Sequence, residues 1–220
     1  LKKGSRVSTI SVMRNILSVA DVAEEFPADF CIYDLGKFLN LLKIYPELDF
    51  HDPENSSTNK QNYVMMSNGE KTYKFMAAEP SIIVFPKNTF NMDGSKNNPE
   101  ESKDYPSCDI NVKLPSQTLN EAVQVASISG LPDFALTSRN DDGVVYFSAL
   151  DKKDDTSNVS EEPVGKSDDP FTMYFRSENL KLIEGDYDVG ISKNKISTFR
   201  HQKLPIQYWI TLEQDSTYGA

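Results

Sequence analysis

Side chains that commonly carry out catalysis are few in this chain and lie far apart in the sequence. The two histidines, His51 and His201, each lie in a polar stretch, where a solvated surface histidine is the more frequent case. Cys31 and Cys108 are the two cysteines, and their wide separation favours packed thiols over a disulfide or a metal site. The sequence therefore predicts no catalytic residues, although an enzyme with an unrecognised site stays an alternative.

Two segments carry incomplete ligand-binding patterns. Gly165-Lys166-Ser167 matches half of a phosphate-binding loop, but Ser160 stands where that loop needs its first glycine. The stretch from Asp151 to Glu162 is rich in carboxylates, yet it lacks the glycine that a calcium loop requires at its sixth position. We therefore predict no metal site and no cofactor.

Cations and amides on predicted helix faces offer a clearer chemistry, which is contact with phosphate groups. Lys37, Asn40 and Lys43 share one face of a predicted helix, and Arg176 and Lys181 lie around another. So sparse a set would bind nucleic-acid phosphates loosely and without reading bases. Exposed helix faces are also commonly polar for solubility alone, so both interpretations stay open.

An aromatic and apolar cluster near the C terminus is a candidate site for a partner peptide. Tyr and Trp are enriched at binding hot spots, and this cluster would lie beside a predicted connector between domains. Strands of this composition are also commonly buried in a core, which is the alternative. The candidate pocket comprises Phe85, Leu204, Pro205, Tyr208 and Trp209.

The first group of cations belongs to a strand-helix-strand unit. Residues 30–33 predict a strand, and Asp34 can cap a helix by accepting hydrogen bonds from the free amides of its first turn. Pro46 ends that helix, and residues 47–50 begin a second strand. Helical spacing predicts a buried stripe that comprises Leu35, Phe38, Leu39 and Leu42.

The same plan recurs twice in the second half of the chain. Ser116 is predicted to cap a helix with a buried stripe, and Ser177 a shorter helix that ends at Gly185. The stripe of the middle helix comprises Leu119, Ala122, Val123 and Ala126. Its outer face carries no cation and comprises Gln117, Asn120, Glu121 and Gln124.

A break in the pattern divides the chain into two predicted domains. Residues 86–106 contain several Pro and Asn residues with little apolar periodicity, which predicts a connector between a domain at 1–85 and a domain at 107–220. Residues 152–169 are predicted to be a loop, and residues 213–220 a tail. We predict an α+β fold of two similar domains, each an antiparallel sheet with short helices on one face.

The overall charge argues against a conventional duplex-binding protein. The net charge of −10 and the pI near 4.7 contrast with the basic surface of typical duplex binders, although a local basic surface on an acidic body stays possible. No apolar run approaches the roughly 20 residues that cross a bilayer, and no signal peptide is visible. The sequence predicts a globular chain without a membrane partner.

Three segments of the chain resemble the sliding clamps of T-even-type bacteriophages. The segment Asp29-Phe-Cys-Ile-Tyr-Asp-Leu-Gly-Lys-Phe-Leu39 is similar to a strand-helix junction of that family. Residues 208–217, which contain Leu212-Glu-x-Asp-Ser-Thr217, resemble its C-terminal end, and residues 182–187 are similar in kind. The family's first helix and the start of its first strand have no counterpart here, so we expect an N-terminally incomplete sequence.

The resemblance implies the DNA clamp fold and a DNA polymerase processivity factor that is not an enzyme. It implies a homotrimeric ring, loaded around duplex DNA by an ATP-driven clamp loader, with helices lining the hole and a role in late transcription. It also implies action in the cytoplasm of an infected bacterial host. Residues 82–85 of one copy are expected to contact Val144 to Leu150 of the next. The alternative is a non-enzymatic, acidic, two-domain protein-interaction module of a phage.

Overall fold

The computed structural model describes residues 1–47, 49–51, 63–82, 108–139 and 143–219. These residues form two compact units. The first comprises Leu1–Val12 and residues 19–82, and the second comprises Met13–Ser18 and residues 108–219. Phe85 and the predicted connector at 86–106 lie outside the described residues.

The first unit combines a β-hairpin, one helix and a small antiparallel sheet. Strand β1 (Gly4–Ile10) neighbours strand β2 (Ile16–Phe26), which belongs to this unit from Val19 onward, and helix α1 spans Leu35–Ile44. Strands β3 (Asp49–His51), β4 (Tyr63–Ser67) and β5 (Thr72–Met76) then form a three-stranded sheet in that order, followed by a 3-10 turn at Pro80–Ile82. The core of this unit comprises Phe26, Phe30, Phe38, Val64 and Met66.

Helix α1 begins as the sequence predicts, but its buried face differs from the predicted stripe. The Asp34 carboxylate accepts a hydrogen bond from the Lys37 amide at 2.9 Å, which caps the helix. Phe38 is 3% exposed, whereas Leu35 is 57% exposed and Leu39 is also exposed. The buried side centres on Phe38, with Leu41 and Leu42 packed beside it. The predicted stripe is therefore wrong at Leu35 and Leu39, because the helix packs through one aromatic side chain.

The predicted strand at residues 30–33 is not a strand. Its backbone pairs at isolated points: the Phe30 amide donates to the Leu1 carbonyl at 3.1 Å, and the Ala78 amide donates to the Cys31 carbonyl at 2.9 Å. Single backbone hydrogen bonds to two separate segments do not form the continuous ladder that defines a strand. The segment instead carries the buried Phe30 ring into the aromatic core, 5.8 Å from the Phe26 ring.

The second unit packs two antiparallel sheets and a helix around one large core. Four strands, β6 (Ile110–Leu114), β11 (Tyr187–Ser192), β12 (Ile196–His201) and β13 (Ile206–Thr211), form one sheet in the order β13-β12-β11-β6. Its other sheet has the order β14-β10-β7-β8-β9. The strands of that sheet are β7 (Asp133–Ser138), β8 (Val144–Leu150), β9 (Ser160–Lys166), β10 (Phe171–Arg176) and β14 (Thr217–Tyr218).

Helix α2 spans Ser116–Ser129 and buries Leu119, Ala122 and Ala126 in this core, whereas Val123 is partly exposed. Ser116 is the first helical residue and not the cap, because Pro115 holds the cap position with φ −63°. The Ser116 amide is satisfied instead by the Asp186 carboxylate at 2.9 Å. Gly130 ends the helix in the left-handed conformation.

Four other predictions for this half of the chain need correction. The third predicted helix is a single 3-10 turn at Ser177–Leu180. The predicted loop at 152–169 contains β9, which begins with a serine and two carboxylates, and the predicted tail contains β14. Strand β8 is paired with β7 on one side and β9 on the other, so the predicted contact of Val144 to Leu150 with another copy is wrong.

We expect truncation of Phe38 to destabilise the first unit far more than truncation of Leu35 on the same helix. Phe38→Ala removes a buried ring and leaves a cavity, which costs about 3–5 kcal/mol. Leu35→Ala removes exposed methyl groups and changes the free energy of unfolding by about 0.5 kcal/mol. Denaturant unfolding of both variants measures the difference, and equal losses would contradict the packing described for α1.

Candidate nucleic-acid and partner surfaces

Helix α1 presents the three polar side chains that the sequence predicts on its outer face. Lys37, Asn40 and Lys43 are all exposed. Lys37 makes a surface ion pair with Asp34 at 3.2 Å, and the Lys37 amide and ammonium lower the pKa of the Asp34 carboxyl. Such an exposed pair is weak, so the ammonium can exchange its partner for another anion at little cost. Lys43 has no ion pair among the described residues and lies in the last helical turn, where a cation is favourable.

The two cations predicted around the third helix occupy different settings. Arg176 ends strand β10, and its guanidinium contacts the Glu213 carboxylate at 3.0 Å. That carboxylate hydrogen bond raises the pKa of Arg176 and compensates its charge. Lys181 follows the 3-10 turn, is exposed, and has no ion pair within the part of the chain that the structure describes. Lys181 is therefore the more available cation for an external phosphate.

Carboxylates of the C-terminal segment bind another cation, Lys152, which follows strand β8 and was not among the predicted site residues. The Lys152 ammonium lies 2.9 Å from Asp215 and 3.6 Å from Glu213. Burial opposes its positive charge, but the carboxylates of Asp215, Asp133 and Glu213 outweigh burial and raise the pKa of Lys152. Lys152 and Arg176 thus neutralise carboxylates of this protein and fasten its C-terminal segment to the sheet.

The outer face of α2 matches the prediction that it carries no cation. Gln117, Glu121 and Gln124 are exposed, and Asn120 is half-buried. The Gln117 amide donates to the Glu121 carboxylate at 2.8 Å, an i,i+4 pair that stabilises the helix.

The five residues of the predicted partner pocket do not share one surface setting. Trp209 is 2% exposed and Tyr208 is also buried, the latter within the main core. Leu204 is 47% exposed and Pro205 is exposed, in the loop that joins β12 to β13. Phe85 lies outside the described residues. The pocket stays a prediction, and its accessible described part is Leu204 and Pro205.

Backbone hydrogen bonds hold this loop in place. The Gln202 amide donates to the Asp186 carbonyl at 2.9 Å, and the Ile206 amide donates to the Leu204 carbonyl at 2.8 Å. His201 Nδ1 accepts from the amides of Lys203 and Leu204, each at 3.0 Å. The loop is therefore fixed at both ends and through its middle.

An exposed apolar tip on the β1-β2 turn was missed by the sequence analysis. Val12 is 87% exposed, and Met13 beside it is similarly open. Arg14 follows with a positive φ of 57°, and the Asn15 carbonyl accepts a hydrogen bond from the Thr211 amide at 3.0 Å. The detectable signal was two apolar residues directly at a predicted turn, where polar residues are normal.

The described ranges contain no group of acidic, histidine or cysteine side chains that could hold a metal ion. In the acidic stretch after β8, the Asp154 carboxylate accepts hydrogen bonds from the hydroxyl and amide of Thr156, which lower its pKa.

No helix in the described part of the chain is long and apolar enough to cross a membrane.

Comparison with curated proteins finds phage relatives across nearly the whole chain. The sliding clamp of Vibrio phage KVP40 is 29% identical over 220 residues, which cover 96% of this chain and 88% of that protein. The sliding clamps of Escherichia phage RB69 and Enterobacteria phage T4 are 22% and 21% identical, each over 99% of this chain and 90% of that protein. No family model matches the chain.

Solved bacterial proteins share the fold. The DNA polymerase III subunit beta of Pseudomonas aeruginosa superposes with a TM-score of 0.65 at 14% identity, over 97% of this chain and 56% of that chain. The pol III beta protein of Caulobacter crescentus gives a TM-score of 0.60 at 13% identity, over 95% of this chain and 54% of that chain. This chain thus spans a little over half the length of these bacterial chains. At such identities the likeness shows the fold alone.

The fold is the DNA clamp fold, as the sequence predicts. The chain is similar to the phage sliding clamps over nearly its whole length, and the resemblance found in its sequence is confirmed.

Proposed function

We propose that this protein is a sliding clamp, a ring that encircles duplex DNA and tethers a DNA polymerase for processive synthesis. The observation that carries the proposal is the match of phage sliding clamps to nearly the whole chain, together with a clamp fold. A ring retains DNA because the two are topologically linked, so the role needs no catalytic group. The partners in this role are duplex DNA without sequence preference, the polymerase and a clamp loader. The setting is the cytoplasm of an infected bacterial cell, where the ring also serves late transcription.

Weak contact with phosphates suits a ring that must move along DNA. The candidates for the DNA-facing surface are Lys37, Asn40, Lys43, Arg176 and Lys181, and among them Arg176 is already compensated by Glu213. The body carries a net charge of −10, which opposes DNA binding on its other surfaces. Few exposed cations mean few released counterions, so attachment to any one site is weak and sliding is fast.

Two open sheet edges support assembly of three copies into the ring. Within the described residues, β5 pairs with β4 alone and β9 pairs with β8 alone. The β5 edge carries Lys74 and the 65% exposed Met76, whereas the β9 edge carries the exposed Glu161 and Glu162. These edges lie in different units, so joining β5 of one copy to β9 of the next is a head-to-tail contact, the type of contact from which closed rings are built.

We expect Met76→Asp to weaken assembly because it places a carboxylate on the β5 edge opposite the acidic β9 edge. Sedimentation should show a trimer for the unaltered chain and at least a tenfold weaker association for the variant. Ile183→Asp introduces the same charge at another exposed apolar position and serves as the matched control. Equal association of both variants with the unaltered chain would contradict the use of the β5 edge.

We expect the double change Lys37→Glu and Lys43→Glu to shorten the DNA copied per polymerase binding event several-fold. The reason is that two exposed attractions for phosphate become repulsions. Primer extension on circular templates at several salt concentrations measures the effect, with the trimer verified by sedimentation.

The matched control for this pair is Lys113→Glu with Lys153→Glu, which gives the same net charge at exposed strand and loop positions. If the control pair shortens the products as much as the helix pair, then net charge acts alone and α1 does not face DNA.

A further inference from the structure

His201 is a buried side chain with no part in the proposed DNA contacts. It ends strand β12, is 6% exposed, and packs edge-on against the Tyr187 ring at 5.2 Å between centroids. Its Nε2 lies 3.2 Å from the Glu184 carbonyl, and its Nδ1 lies 3.0 Å from the amides of both Lys203 and Leu204.

These partners define which ring nitrogen carries the proton. A carbonyl oxygen can only accept, so Nε2 must donate to Glu184. Two backbone amides can only donate to Nδ1, so this nitrogen must be the unprotonated acceptor. The hydrogen bonds therefore fix the tautomer of His201 that has its proton on Nε2. Nε2 faces the Glu184 carbonyl, and Nδ1 faces the amides of Lys203 and Leu204. His201 joins the segment that precedes β11 to the loop that precedes β13.

The backbone at Gly185 lies so close to the His201 imidazole that no side chain fits at position 185. A Cβ on residue 185 would lie 2.1 Å from His201 Nε2, a distance that real atoms do not share. Gly185 is therefore needed to admit the imidazole, beyond the helix-stopping role that the sequence predicts. The ring and the glycine form one fitted contact.

The two amides held by Nδ1 belong to the loop that exposes Leu204. This loop carries the accessible apolar pair Leu204 and Pro205, with the exposed Lys203 beside them. Lys203 has no ion pair in the described ranges, and so its charge is available to an outside group. An apolar contact next to an unpaired cation fits a peptide that has an apolar side chain followed or preceded by a carboxylate.

We propose that His201 is a positioning residue that fixes the loop Gln202–Pro205 in one conformation, so that Leu204, Pro205 and Lys203 receive a peptide of the DNA polymerase. The proposal rests on the sliding-clamp function. A loop that is already ordered loses less conformational entropy when the peptide binds, which strengthens binding without adding a contact. His201 itself stays buried and does not touch the peptide.

Two replacements of His201 distinguish the effect of its hydrogen-bond acceptor, Nδ1, from the effect of the volume that the side chain fills. His201→Asn places Oδ1 where Nδ1 lies, so the amides of Lys203 and Leu204 keep their acceptor. His201→Leu fills a similar space but leaves both amides without one. We expect His201→Leu to weaken binding of the cognate polymerase at least tenfold, and His201→Asn to weaken it less than threefold.

Hydrogen exchange at the Lys203 and Leu204 amides gives the second readout. Both amides should exchange much faster in His201→Leu and at nearly the native rate in His201→Asn, while amides elsewhere in the second unit keep their protection. Leu204→Ser should weaken polymerase binding without faster exchange at the Lys203 amide, because it removes a contact and leaves the hydrogen bonds in place.

Two results would overturn the proposal. One is native polymerase affinity in His201→Leu with fast exchange of the two amides. The other is an equal loss of affinity in both His201 variants, including a loss caused by global unfolding. Failure of the sliding-clamp function itself looks different, because the unaltered chain would then neither remain on circular DNA nor bind the polymerase.

Discussion

Unpaired backbone groups at open sheet edges constrain how this chain can exist in solution. Among the described strands, β5 and β9 each pair on one side only, and each outer side presents amides and carbonyls that must bond to water or to another strand. Lys74 on β5 and the carboxylates on β9 favour pairing of unlike edges, with Glu161 partly compensated by Arg139 at 2.6 Å and Glu162 accepting from the Thr118 hydroxyl at 2.9 Å. If β5 of one copy joins β9 of the next, the contact repeats from copy to copy, and a closed ring satisfies both of these edges in every copy. The proposed function depends on this closure.

In the proposed ring, closure around the duplex retains the DNA, and the charges of the protein need contribute only weak attraction. An acidic protein is a poor DNA binder by charge alone, and its most buried cations, such as Lys152, already neutralise its own carboxylates. Weak attraction by Lys37, Lys43 and Lys181 is sufficient when a closed ring prevents escape, because the ring need only avoid repelling the duplex. Tight phosphate binding would slow sliding, so the sparse cations are consistent with the proposed movement along DNA.

Local sequence signals predicted those parts of the fold that depend on local chemistry. The Asp34 cap follows from a side-chain preference that neighbouring residues do not override. Strand β9 was missed because most of its residues are polar or exposed, so no apolar alternation marks it in the sequence. Residues 30–33 were mistaken for a strand because their apolar run serves the aromatic core of the first unit.

The candidate surfaces were predictable in part. Exposure of Lys37, Asn40 and Lys43 follows from helical periodicity, which is a local property. Burial of Trp209 and the pairing of Arg176 with Glu213 depend on contacts between residues distant in sequence, which periodicity cannot reveal. The prediction of a solvated surface histidine at His201 is wrong for the same reason, since its burial and its bonds to Glu184 and Leu204 depend on how two loops meet.

The most direct test of the central claim is whether the protein stays on circular DNA after the circle is cut to a linear form. The protein is loaded onto nicked circular duplex and separated from free protein, and the circle is then cut once by a restriction enzyme. Encirclement predicts that the protein stays on the intact circle and leaves the cut DNA by sliding off its ends, unless those ends are blocked. Stable retention on the linear DNA with free ends would contradict encirclement and indicate direct attachment by charge or sequence.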